Sequence, residues 1–121
     1  MRELTKAEEQ IMQVLWLKEK AFVKEIIEEL EDPKPAYSTV STIVRILETK
    51  GFVGHTAFGP THQYHPLVSK DEYSHFTMKK MLNNYFDGSL KKMVSFFSKK
   101  ENIDIREMEE ILKVLENKKS K

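Results

Sequence analysis

The stretch Tyr37–Val53 reads YSTVSTIVRILETKGFV, and its periodicity decides the fold. Val40, Ile43, Val44 and Leu47 recur at i, i+3, i+4 and i+7, the spacing of one buried helix face. Ser38, Ser41, Thr42, Arg45 and Thr49 then share the opposite face. It holds small hydrogen-bonding groups and one arginine, with no carboxylate, and Glu48 lies off to its side. Most exposed helix faces mix both charge signs. A face free of acid is what a helix needs in order to approach phosphates. Gly51 is placed to end the helix as a C-terminal cap.

Two helices precede this one. Thr5-Lys6-Ala7-Glu8 fits a capping box, in which Thr5 and Glu8 satisfy each other's backbone donors. Behind it Ala7, Ile11, Val14 and Leu15 share a face that Met12 and Trp16 widen, giving a helix over about residues 5 to 18. Val23, Ile26, Ile27 and Leu30 give a second helix, over about 23 to 30. Asp32-Pro33-Lys34-Pro35 must break it, because proline lacks a donor and restricts its predecessor. Downstream, extended runs at Phe52–Phe58 and His62–His65 flank Gly59-Pro60, a turn by composition, so a β-hairpin is expected. Three helices and a hairpin in that order form a winged helix-turn-helix, expected over residues 1–68. The remainder, 69–121, reads as all helical, so the fold is mainly α. Ser69-Lys70-Asp71-Glu72 is a second capping box, and Asp104-Ile105-Arg106-Glu107 resembles a third. Leu90, Met93, Val94 and Phe97 form one apolar stripe; Met108, Ile111, Leu112 and Leu115 form another. Short helices of this total size rarely support a private core. A second copy of the chain is the economical partner, which makes these eight residues the expected interface of a homodimer.

Composition narrows the function. With 121 residues, 40% apolar and 32% charged, the chain is globular. No apolar run approaches the roughly 20 residues that a membrane span needs, and the N-terminus lacks the apolar stretch of a signal peptide. A cytoplasmic protein without stable membrane association is expected. The absence of cysteine removes disulfides, thiolate metal sites and cysteine nucleophiles together. The net charge of +1 lends DNA binding little support, so any basic footprint must be local. From Pro33 to Pro66, Lys34, Arg45 and Lys50 face Glu48 alone, and His55, His62 and His65 lie in the same stretch.

The candidate DNA contacts are therefore Ser38, Thr39, Ser41, Thr42, Arg45, Thr49 and Lys50 of the third helix, with His55 and His62 of the hairpin. The histidines do not suggest a metal. His62 and His65 are three apart on a strand and point to opposite faces, with no cysteine or suitably spaced carboxylate to join them. No GxSxG, P-loop, GxGxxG or HExxH motif is present, and neither an enzyme nor a cofactor is expected. A rival reading stands beside DNA binding: a winged-helix protein-interaction module whose acidic second helix docks a basic partner.

The segment Tyr37–Val53 also resembles the recognition-helix signature of the penicillinase repressor family, the BlaI/MecI type. The opening LTKAEEQIMQVLW resembles that family's first helix, QYHPLVSKDEY its wing and exit, and KKMVSFFSKKENIDIREMEEIL its dimerisation region. The resemblance implies a homodimeric repressor that binds a palindromic operator in double-stranded DNA, often of β-lactamase or related resistance genes. It also implies release by a membrane sensor-protease that cuts around Met93–Lys99, where the aligned bond is Phe96–Phe97. Two departures stand out. The family often carries Arg just before the leucine that is Leu47 here; this chain has Ile46 there and Arg45 one place earlier. The best-known members are cut between Asn and Phe. The family's copper-responsive branch uses a C-terminal cysteine cluster, which this chain lacks.

Overall fold

The computed structural model describes residues 1–119, and of residues 112 and 115–119 the backbone alone. The elements run α1 (Lys6–Lys18), β1 (Ala21–Phe22), α2 (Val23–Glu28), α3 (Tyr37–Thr49), β2 (Val53–Phe58), β3 (Thr61–Pro66), α4 (Lys70–Tyr85), α5 (Leu90–Glu101) and α6 (Ile105–Lys119). The chain divides into two compact units, Met1–Thr77 and Met78–Lys121.

The first unit is the winged helix-turn-helix. α1 starts at the expected box: Thr5 Oγ1 accepts from the Glu8 N–H at 3.2 Å, and Glu8 Oε1 accepts from the Thr5 N–H at 2.8 Å. α3 closes as a Schellman motif. The Gly51 N–H donates to the Glu48 carbonyl at 3.0 Å and the Phe52 N–H to the Leu47 carbonyl at 2.9 Å. Gly51 holds a φ of 83° there, a conformation in which a Cβ would be strained. α2 ends two residues before Leu30, because its last turn tightens to i→i+3 hydrogen bonds from the Glu29 and Leu30 N–H groups. The Lys34 ammonium then donates to the carbonyls of Glu28 and Leu30 that the helix leaves open.

The core joins Ile11, Met12 and Leu15 of α1, Ile26 of α2 and Val40, Val44 and Leu47 of α3 to Phe52, Val53 and Tyr64. Ile43, expected to face inward, is half-buried at the edge of this cluster, as is Trp16, whose indole N–H donates to the Val68 carbonyl at 2.9 Å. β2 and β3 form the expected antiparallel hairpin. β1, two residues that carry no periodic signal of their own, adds to the other edge of β3 in the order β1-β3-β2. Phe22 of β1 meets Phe58 of β2 edge to face at 5.6 Å between ring centroids.

The unit continues past residue 68 into α4. Tyr73 is buried there, its hydroxyl accepts from the Leu4 N–H at 2.9 Å, and its ring packs against Phe52 and Trp16. The Ser69–Glu72 capping box is present in both directions. In Met78–Lys121, by contrast, no described side chain is buried. Ser89 caps α5 by accepting from the Lys92 N–H at 3.1 Å, and Asp104 accepts from the Glu107 N–H at 2.9 Å at the start of α6. Among the described residues no helix is long and apolar enough to cross a membrane.

One ion pair ties the start of α1 to the end of α3. Glu8, in the first turn of α1, is buried, and both its carboxylate oxygens accept from the Lys50 ammonium, at 2.9 and 2.8 Å. Burial works against the ionised form. The Lys50 hydrogen bonds and charge, with those from Thr5, outweigh it and hold the Glu8 carboxyl below the usual carboxylate range. A depressed folded pKa adds stability above the ordinary glutamate pKa, and that stability is lost as pH falls through the folded value. Lys50→Met should therefore cost about 3 kcal/mol near neutral pH, as removal of one partner from a buried pair does. The deficit should narrow as the solution is acidified and Glu8 becomes neutral in both proteins. Urea unfolding at a series of pH values measures it, and a deficit independent of pH would contradict the role given to this pair.

Candidate nucleic-acid interface

α3 presents its polar ridge to solvent because its apolar stripe is consumed by the core. Ser38, Thr39, Thr42, Arg45 and Thr49 are exposed and Ser41 is half-buried. The N-terminus of α3 follows Pro35-Ala36, with no side-chain cap and no acid in the first turn. Such a terminus carries the positive end of the helix dipole and accepts an anion readily. Two hydroxyls on the ridge are turned back to the helix: Thr42 Oγ1 donates to the Ser38 carbonyl at 2.9 Å, and Thr49 Oγ1 to the Arg45 carbonyl at 3.1 Å. These threonines offer lone pairs and methyl groups outward rather than a free O–H.

The hairpin stands against one flank of α3. His55, His62 and Tyr64 share one face of the sheet, with the His55 and His62 rings stacked at 4.1 Å and 4° between planes. His55 Nδ1 donates to the Glu48 carboxylate, which joins the wing to α3 and occupies the single acid beside the ridge. Arg45 lies by the Tyr64 hydroxyl. Burial, and then the Glu48 charge, push the Tyr64 phenol above its usual range, and Arg45 opposes them in part. Tyr64 is thus a neutral hydroxyl at physiological pH that steadies the guanidinium.

The nine candidate contacts separate on this geometry. Ser38, Thr39, Ser41, Thr42, Arg45 and Thr49 are brought together on one surface. Lys50 is not free to meet a phosphate, since its ammonium is committed to Glu8. In the sequence it looks like any helix-end lysine, and only the return of α1 to the end of α3 supplies its partner. His55 keeps one ring nitrogen for a ligand while the other serves Glu48, and His62 offers an edge from the stack. Sequence reasoning passed over Arg2, which borders a shallow depression on the other flank of α3 together with Thr42, Ile46 and Thr49. No periodicity could have found it, because it precedes the first helix. Among the described residues no group of three or more metal-ligating side chains comes together.

In Met78–Lys121 the expected interface residues lie along open stripes. Leu90, Met93, Val94, Met108 and Ile111 are half-buried and Phe97 is 54% exposed; the Leu112 and Leu115 side chains lie outside the described residues. Phe96, at 53% exposure, meets Phe86 at 5.6 Å between ring centroids. Phe96 and Phe97 both sit within α5, so the bond between them is in helical backbone.

The pattern of the family described as Penicillinase repressor matches residues 4–117. The methicillin resistance regulatory protein MecI of Staphylococcus aureus (strain N315) is 30% identical over 117 residues, which is 96% of this chain and 95% of that one. The penicillinase repressor of Bacillus licheniformis is 26% identical over 98% of this chain and 94% of its own. Among solved structures, the DNA-binding domain of the repressor BlaI is 26% identical with a TM-score of 0.51, covering 60% of this chain and 94% of that one. The structure of hsRosR-S4, at 17% identity, a TM-score of 0.54 and coverage of 84% and 90%, agrees in fold. A helix with an acid-free exposed ridge, a wing on its flank and a match across nearly the whole length lead to one conclusion: this chain belongs to the penicillinase repressor family.

Proposed function

We propose that this chain is a cytoplasmic transcriptional repressor that binds a palindromic operator in double-stranded DNA as a homodimer and silences β-lactamase or related resistance genes. The observation that carries this reading is the exposed ridge of α3, where Arg45 stands among small hydroxyl side chains and the adjacent acid is occupied by His55. A helix of this kind enters the major groove with its wing beside the backbone. Arg45, held near Tyr64, reads a base edge. Ser38 and Thr39, in the first turn of α3, meet phosphate.

Dimerisation is supported by the stripes of α5 and α6, along which no described side chain is fully buried. A dimer tethers two weak half-site contacts, so that the second binds at high effective concentration. Release follows if the tether is lost. A cut at Phe96–Phe97 by a membrane sensor-protease would separate Met108 and Ile111 from the reading helix without altering it. The bond's helical setting requires α5 to open locally before it is cut.

Arg45→Ala should weaken operator binding by about 1–3 kcal/mol, the range for a bidentate arginine–guanine contact. Anisotropy titrations at fixed salt measure this, and wild-type affinity in a folded variant would contradict the assignment. Across a salt series the wild-type affinity should fall steeply; a flat response would favour the protein-docking alternative.

The fragment 1–77, which retains Tyr73, should be monomeric and bind the full operator far more weakly than the intact chain. The intact chain carrying Met93→Glu and Val94→Glu should behave likewise. Sedimentation that finds either protein dimeric would rule out this interface.

In cells exposed to a β-lactam, immunoblotting should reveal a fragment of about 96 residues as the target genes are expressed, since cleavage ahead of the second stripe abolishes tethering. An intact band during derepression would eliminate proteolytic release.

A further inference from the structure

Thr42, Ile46 and Thr49 follow one another at i, i+4 and i+7 and make a continuous ridge on the exposed side of α3. Ile46 is 43% exposed, in a helix whose other large aliphatic side chains face or border the core. The hydroxyls on either side of it are bonded back to the helix, so the ridge presents mostly carbon. The depression it borders is closed by Arg2, Arg45 and Lys50. Lys50 is neutralised there by Glu8, whereas Arg2 has no hydrogen bond or ion pair among the described residues. An apolar floor beside a free guanidinium calls for a ligand with a small apolar group next to a negative charge.

We infer that Ile46 reads the 5-methyl group of a thymine in the operator, while Arg2 holds a neighbouring phosphate. The thymine methyl is the apolar group that unmodified base pairs present in the major groove, and it is met by apolar side chains. Arg45 and Ile46 are adjacent in sequence but about 100° apart around the helix, so they address different bases. Arg2, on the flank of α3 away from the wing, positions the helix without reading sequence itself. The result is a reading surface wider than the polar ridge, with one hydrogen-bonding element and one that recognises a methyl group.

This inference rests on the DNA-binding reading, and its test separates the two. A duplex is selected from a random pool by repeated binding to the intact protein, and each thymine in it is then replaced singly by uracil, which removes only the methyl. At one position in each half-site the wild-type protein should lose affinity by roughly fourfold, the scale of one buried methyl group. That loss should disappear in Ile46→Ala and persist in Arg45→Ala. Arg2→Ala should bind the same duplex with a salt dependence shallower by about 1 per half-site. Selection of a duplex in which every uracil substitution is neutral, or equally costly in Ile46→Ala, would overturn the thymine contact while leaving DNA binding intact. An unchanged salt slope in Arg2→Ala would overturn the phosphate contact. Failure to select any duplex would remove the DNA-binding reading and this inference together.

Discussion

Burial of the Val40–Val44–Leu47 stripe of α3 is the constraint on which the rest of the first unit depends. These three residues are fully buried against α1, α2 and the hairpin base. A helix that fixes one face in a close-packed core fixes the opposite face in solvent, with no freedom to roll. The positions of Thr42, Arg45 and Thr49 are therefore consequences of hydrophobic packing. The Schellman closure at Gly51 then turns the chain into β2, and β3 returns along it. The wing is thus delivered to the flank of the same helix whose packing began the process.

Charge is distributed with equal economy. The chain is close to neutral overall, yet its charged groups near α3 are largely paired or structural. Lys50 neutralises buried Glu8, His55 occupies Glu48, and Lys34 caps the end of α2. Arg45 and Arg2 remain at the surface of α3. A DNA-binding protein does not need a strongly basic composition if its acids are tied up where phosphate approaches. It needs only a few cations held in register by neutral groups such as Tyr64.

The second unit works differently. Its helices are amphipathic and capped, so each is locally well specified, but none of its described side chains reaches full burial. That is the expected result of placing short apolar stripes on a segment too small to enclose them. The Phe86–Phe96 contact and the Ser89 cap organise the start of α5 without supplying a core.

Local order determined much of this protein. Helical periodicity located α1 and α3, the three box-like motifs located helix starts, and Gly51 and Gly59 marked a helix end and a turn. The acid-free face of α3 and the family resemblance were legible for the same reason, since each is a pattern within one continuous segment. Tertiary structure decided what depends on residues far apart in the chain. β1 exists only because β3 lies beside it, and two residues have no periodicity to announce them. The first unit reaches Thr77 because Tyr73 finds Leu4, 69 residues away. Lys50 left the set of free cations because Glu8, 42 residues earlier, needed a counter-charge, while Arg2 joined the rim of the depression beside α3. A side chain's chemistry is written in its own position, but whether that chemistry is free or already consumed is set by the partner that folding brings to it.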